Sequence, residues 1–385
     1  MGFNKKNEFN NASKIFRISI SLIFFVAGLC FASWGSRISS IQQKFMLSDQ
    51  ELGSILFALP VGLVVSLPLS GWLVNKLGSR NMLAISVISF ALTLVALAFV
   101  NTVYLLITSL IFFGLFCNAT NISVNTQAVS VEKLYGKPIM SSFHGIYSIA
   151  TFLGAGFGTL MIGFSVSTVF HFLLVASIII ITVILSLSFL NDDQVPEKTQ
   201  KTFVVPEKSL ITIGMIAFCS MVIDGAMFDW GVIYFKKIVG ANKQWVGAGY
   251  TACMCTMAAG RFFADRFSTK YGLRRTLQLS GILSTIGLLI TVSFPSLLPS
   301  ILGFMLIGAG ISSVVPTIYS VASKSKIMSP GSAIAAVSTI SFVGFLFGPP
   351  LIGYIAGLFS LRVSFVFLIS MGIGVFILST KAKIE

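Results

Sequence analysis

Long apolar stretches separated by short polar breaks run the whole length of the chain. Their spacing predicts helices at about 16–38, 50–75, 81–101, 103–131, 139–163, 167–190, 210–235, 245–268, 275–294, 297–322, 328–356 and 360–380. Each approaches or exceeds the roughly 20 residues that span a hydrocarbon core of about 30 Å. The pattern therefore predicts an all-α membrane protein of twelve transmembrane helices. The longest hydrophilic stretch, 191–209, carries Asp192, Asp193, Pro196, Glu197, Lys198 and Pro206 and falls at the midpoint. It is too short to fold alone and reads as a cytoplasmic linker between an N-terminal six-helix bundle, 1–190, and a C-terminal one, 210–385.

The two halves echo each other. Trp34-Gly35 near the end of the first helix recurs as Trp230-Gly231 near the end of the seventh, and Gly53 recurs as Gly249 at the same offset. The second and eighth helices each end in a glycine-and-basic turn, Gly78-Ser79-Arg80 and Gly272-Leu273-Arg274. Two pseudo-symmetric bundles follow from this repetition, an architecture of secondary transporters.

Composition sharpens the picture. Of 385 residues 55% are hydrophobic and only 10% charged, and the mean hydropathy is +0.94, whereas soluble domains carry about 25% charge. A single anchor on a soluble domain is excluded, as is an attached ATPase. The net charge of +14 would suggest nucleic acid in a soluble protein. Here it tracks orientation: with the N-terminus inside, twenty cations, Arg261 among them, gather on the cytoplasmic side. Five, Lys44, Lys236, Lys237, Lys243 and Arg362, gather on the other. That bias predicts two cytoplasmic termini, and thus an even number of spans. The run from 18 to 34 exceeds a signal-peptide core and reads as a retained helix. Cys30, Cys117, Cys219, Cys253 and Cys255 all lie in apolar runs, forming neither a disulfide framework nor a metal site. With no phosphate loop, zinc spacing or nucleophile elbow in the sequence, neither a cofactor nor catalysis is expected.

The residues left to carry chemistry are intramembrane polar groups. Asp224 and Asp229 lie within the seventh helix, where a carboxylate costs about 2.5–3.5 kcal/mol on insertion scales. No basic residue precedes Lys236 in that helix. They sit about 140° apart around it, so they do not share one partner. Asp224 reads as a proton-coupling or solute-binding carboxylate and Asp229 as the next candidate for proton coupling, with an interhelical salt bridge or helix cap as the alternative for each. Asn118, Asn121 and Asn125 fall within about 60° on the fourth helix, a stripe suited to hydroxyls and carbonyls of a polar solute or to interhelical bonding. On the fifth helix Ser141, His144, Ser148 and Thr151 repeat the pattern, and His144 is either a proton relay or a structural histidine. Arg37 closes the first helix, where it either reaches the headgroups or pairs with Asp229 as an outer gate. Trp34 and Trp230 either stack on a ring of the solute or join the aromatic belt. Ser313, Thr317 and Ser320 share a face of the tenth helix that contains Pro316, as a cavity wall with a weak point would.

The stretch from Gly71 through Asn75, Lys76, Gly78 and Arg80 resembles the loop signature of the major facilitator superfamily, G-x-x-x-D-R-x-G-R-[RK], with Asn75 at the acid and Lys76 at the arginine position. Asp265-Arg266 restores the acid in the second half. The segments 125–132, 138–145, 224–230 and 344–353 look like the fucose-permease-like bacterial branch. The resemblance implies the major facilitator fold and a monomeric carrier whose partners are a small polar, sugar-like solute, protons and the bilayer. It also implies alternating access around a midplane site lined by helices 1, 4, 5, 7 and 10. Efflux is the nearest alternative, weakened because the fifth helix lacks the Gly-Pro antiporter signature. A receptor lacks loops for a signalling surface, and an enzyme would have to rest on Asp224 and His144 alone.

Overall fold

The computed structural model describes residues 2–135, 139–190, 208–322 and 330–382. Except for its last two residues, the 191–209 linker lies outside them, as do the surroundings of Gly71 and the side chains of Asn75, Ser141 and Asp265. Among the described residues the elements are all helices: α1 (Gly2–Lys44), α2 (Asp49–Leu56), α3 (Ala58–Leu77), α4 (Ser79–Phe99), α5 (Val103–Tyr135), α6 (Met140–Gly163), α7 (Thr168–Leu187), α8 (Lys208–Lys237), α9 (Ala248–Tyr271), α10 (Leu273–Ser293), α11 (Leu297–Ser312), α12 (Val314–Ala322), α13 (Pro330–Leu358) and α14 (Leu361–Lys381).

Fourteen helices make twelve crossings because two are broken. Proline lacks the amide proton that would bond to the carbonyl four residues back, and its ring crowds that carbonyl. Pro60 therefore ends α2 at Leu56, and Pro316 ends α11 at Ser312; α3 and α12 resume after one residue each. Eleven crossings are long and apolar enough to span a membrane. The twelfth, α9, has the length but carries Arg261, Asp265, Arg266 and Lys270. Strongly exposed apolar residues such as Ile181, Ile184, Leu185 and Leu298 are what a lipid-facing surface demands.

Gly78 and Gly272, the repeat-related turn glycines, stand at φ +79° and +86° as N-caps of α4 and α10. A side chain there would meet no neighbour, so it is the left-handed backbone that calls for glycine. Here the sequence repeat has a direct geometric counterpart.

The chain packs as two compact units. The first is Met1–Trp34, Ala58–Phe157 and Val166–Lys198; the second is Gly35–Phe57, Gly158–Ser165 and Thr199–Glu385. The first has a core of Phe24 stacked on Phe143, with Phe90 and Trp34 against Phe113. The second centres on Tyr234 stacked on Phe365 at 4.1 Å, with Phe304 edge-on to Phe235. The second unit includes the end of α1, all of α2 and the end of α6 because small residues bring backbones together there. Gly53 of α2 abuts Pro349 and Gly353 of α13, Gly35 abuts Phe228 and Tyr250, and Thr159 bonds Thr251 at 3.0 Å.

Candidate functional site

In the second unit, α8 and α9 are antiparallel neighbours joined by the 238–247 connection. A methyl group on Gly231 would lie 3.9 Å from Cβ of Tyr250, so the row of α8 containing Gly231 faces the row of α9 containing Tyr250. Asp224 is seven residues from Gly231, about 20° around α8; Arg261 is eleven from Tyr250, about 20° around α9. Measured inward from the Gly231–Tyr250 level, Asp224 lies about 10.5 Å deep and Arg261 about 16.5 Å. Helical side chains lean toward their own N-terminus. Because the helices run oppositely, the side chains of Arg261 and Asp224 lean toward each other across a stagger of about 6 Å. The arginine is indeed within electrostatic reach of the carboxylate, as is the thiol of buried Cys253. Asp224 and Arg261 are both only partly buried, whereas Asp229, at 6% exposure, is enclosed.

This corrects two expectations. Arg261 is not at the end of its helix with the other cations of that cluster: it stands thirteen residues into the 24-residue α9. Asp224 does have a cation facing it, supplied by the neighbouring helix rather than by its own.

Arg37 is corrected too. The first helix runs on to Lys44, so Arg37 is internal and, at 4% exposure, buried rather than stretched to the headgroups. Gly35, two residues before it, packs on Phe228, the residue before Asp229. The tryptophans at the repeat-related positions are buried to 1% and 0% exposure, which removes both from a surface belt. Neither indole N–H has a hydrogen-bond acceptor among the described residues.

Sequence reasoning missed a second constellation. Lys237 of α8 forms an ion pair with Asp49 at 2.6 Å, and the Gln42 amide of α1 donates to the same oxygen of Asp49 at 2.8 Å. Asp49 opens α2, whose N-terminus is built by a capping box: Ser48 Oγ accepts the Glu51 amide, and Glu51 accepts the Ser48 amide at 2.8 Å. Beside this network an open recess of about 460 Å³ is lined by Gln42, Gln43, Met46, Leu47, Lys236 and Lys237. A pair 188 residues apart has no local signature in sequence.

In the first unit the asparagine stripe divides. Asn118 is buried and donates to the Leu63 carbonyl of α3 at 3.1 Å, beside the close approach of Gly62 and Gly114; this is the bonding expected of helix packing. Asn125 donates to the Asn121 side chain at 2.7 Å, and Asn121 is exposed. His144 is exposed and edge-on to Phe24. Glu132, near the end of α5, accepts the amides of Ile139 and Met140 at 2.8 and 2.9 Å and so caps the start of α6. Of the tenth crossing's residues, Ser313 bonds Ser280 of α10 at 2.9 Å and Thr317 is buried. In the loop signature Lys76 lies 4.9 Å over the Trp72 ring, Ser79 accepts from Gln127 at 2.6 Å, and Arg266 is exposed.

The profile of the Major Facilitator Superfamily matches residues 20–326 and 213–382. An uncharacterized MFS-type transporter of Yersinia pestis is 31% identical over 349 residues, covering 91% of each chain. Membrane protein MosC of Rhizobium meliloti is 29% identical over 365 residues, covering 94% of this chain and 89% of that one. Among solved structures, nucleoside transporter NupG superposes with a TM-score of 0.73 at 15% identity, covering 96% of this chain and all of that one. A bacterial homolog of the human lysosomal transporter Spinster, in an inward-facing and occupied conformation, superposes at 0.71 with 14% identity, over 95% of each. At such identities these two likenesses concern the fold.

Proposed function

The chain belongs to the major facilitator superfamily, a multi-pass membrane transporter, and on that premise we propose that it carries a small polar organic solute inward across the bacterial inner membrane by proton-coupled symport. Both termini are then cytoplasmic, in keeping with the clustering of cations near the helix ends on that side. The single observation that carries the reading is a carboxylate, Asp224, held near the middle of a membrane-spanning helix yet still partly accessible. A charge within a membrane-spanning helix is retained where it serves a pathway. The accessible amides of Asn121 and Asn125 supply further polar contacts of the kind a hydroxylated solute uses.

Alternating access requires the site to be shut off from one side at a time. The Gln42–Asp49–Lys237 network and the glycine contacts of α2 with α13 suit a closure that must also open. They join backbones and a few polar atoms rather than interlocking large side chains. Arg37 and Asp229, buried in the same unit, form the inner layer of this gate.

The test is flux in proteoliposomes holding the purified protein. An inward proton gradient drives wild-type protein to accumulate solute; Asp224→Asn loses that accumulation but still exchanges solute down its own gradient. If Asp224→Asn concentrates solute as wild type does, the coupling carboxylate is elsewhere. If sodium drives the wild type and protons do not, symport with protons is refuted.

A further inference from the structure

We propose that the recess lined by the ends of α1 and α8 binds an oxyanion, a phosphate or carboxylate group, which Lys236 receives and which competes with Asp49 for Lys237. Lys237 stands thirteen residues along α8 from Asp224, about 20 Å, so this is a second site. Only its effect on α2 rests on the gate described above.

The recess follows from how α1 stops. The Met46 amide donates to the Gln43 carbonyl at 3.2 Å and the Leu47 amide to the Gln42 carbonyl at 3.0 Å, the paired bonds that close a helix through a left-handed residue. That residue is Met46, at φ +51° and almost fully exposed. The chain reverses beside the last turn of α8, and both helix ends line the opening of about 460 Å³. Ligand pockets run from about 300 to 1,000 Å³.

Charge around the recess is unbalanced. Its lining carries two cations, Lys236 and Lys237, two amides, Gln42 and Gln43, and no acid. Asp49 is the nearby carboxylate, and it already serves Lys237 at 2.6 Å and Gln42 at 2.8 Å. Glu51 is turned to Ser48, whose amide and hydroxyl it accepts at 2.8 Å each. Asp229 lies eight residues back along α8, about 12 Å away. Lys44 lies 5.5 Å over the Phe45 ring, and Lys243 in the 238–247 connection is a further cation. Among the described residues Lys236 makes no hydrogen bond or ion pair, although it is half-buried beside a like charge. Lysines in a last helical turn are favoured by the helix dipole, so their position alone makes no site. The recess, its lack of acids and the unanswered ammonium together do.

An oxyanion supplies what is missing. Its oxygens accept from the three donors of Lys236 and from the exposed Gln43 amide. With two or more oxygens it also bridges to Lys237, since both lysines line the same space. Lys237 is then drawn from Asp49, and the first residue of α2 keeps only its bond from Gln42. Met46 and Leu47 leave an apolar wall for the body of an organic anion.

The experiment uses the full chain in phosphate-free maltoside micelles, with inorganic phosphate or acetate titrated against sodium chloride at equal ionic strength. Binding is read from broadening of the phosphorus resonance of phosphate. Opening is read from maleimide labelling of a cysteine at Leu52, 1% exposed, in a background without the five native thiols. Phosphate should bind saturably at millimolar concentration and speed labelling at least twofold over chloride, and acetate shows whether a carboxylate suffices. Lys236→Gln should bind phosphate at least fivefold more weakly and lose the labelling response, whereas Lys236→Arg should keep most of both.

The source of the anion is read in nanodiscs of phosphatidylglycerol. A phosphate response that persists there assigns the site to soluble anions; one that vanishes, with basal labelling already raised, assigns it to a lipid headgroup. Non-saturable broadening, equal effects of phosphate and chloride, or unchanged affinity in Lys236→Gln overturns the proposal. Saturable binding with unchanged labelling overturns the competition with Asp49. The preference of wild-type protein for phosphate over chloride decides the matter even if Lys236→Gln fails to fold. Flux enters none of these measurements, so they stand or fall separately from transport.

Discussion

Removing the Lys237–Asp49 pair should loosen the gate by a predictable amount. The Lys237 side chain is 41% exposed and that of Asp49 14%, so solvent screens the pair and its worth lies near the upper end of the roughly 0.2–1 kcal/mol measured for surface pairs. Lys237→Gln should then raise the open fraction of the α2 segment about threefold to fivefold, since about 1.4 kcal/mol is tenfold. Asp49→Asn should do more. It also weakens the bond from Gln42 at 2.8 Å and removes an acid from the first turn of α2, where the helix dipole favours one by about 0.3–1 kcal/mol. Opening can be read by placing a cysteine at Leu52, 1% exposed, in a background lacking the five native thiols, and timing its reaction with a maleimide. When reclosing is fast, the labelling rate reports the open population. The double variant should label less than the product of the two single effects, because the shared pair is lost only once. Raising the salt to about 0.5 M should speed labelling of the reference protein and leave Lys237→Gln unaffected. Multiplicative effects, or equal salt sensitivity in both proteins, would refute the latch.

Three other outcomes follow. A Cβ on Gly353 would come within 2.6 Å of the Asp49 carbonyl and 2.8 Å of Gly53 Cα, so Gly353→Val should hold the Leu52 site open, raise cysteine labelling at least tenfold and abolish flux. Asn118→Leu removes the bond to Leu63, and about 0.6 kcal/mol should appear as a lower melting temperature with solute affinity unchanged, whereas Asn121→Leu should weaken affinity at unchanged stability. Reporter fusions at residue 200 and after Lys383 should both give a cytoplasmic signal, and a periplasmic signal at either breaks the twelve-crossing topology.

Much of the fold was legible along the chain because its causes are local. A membrane span must be long and apolar wherever it packs, so eleven of the predicted segments match the observed crossings within a few residues. The prolines that break α2 from α3 and α11 from α12 act on the carbonyls four residues before them, and the turn glycines act through their own φ. The first helix was misjudged at its end because Ser39, Gln42 and Lys44 read as a polar break, although the backbone continues through them. What decided the site was tertiary. Which row of α9 turns toward α8, and so whether Arg261 shares a side with Asp224, is not written in the residues around it. Asp49 and Lys237 meet across 188 residues, and Trp34 and Trp230 are enclosed rather than placed in a belt, because neighbouring helices cover them. Hydrophobicity and backbone sterics act over a few residues and can be read there; the partner of a charge or the burial of a ring is set by helices distant in the chain.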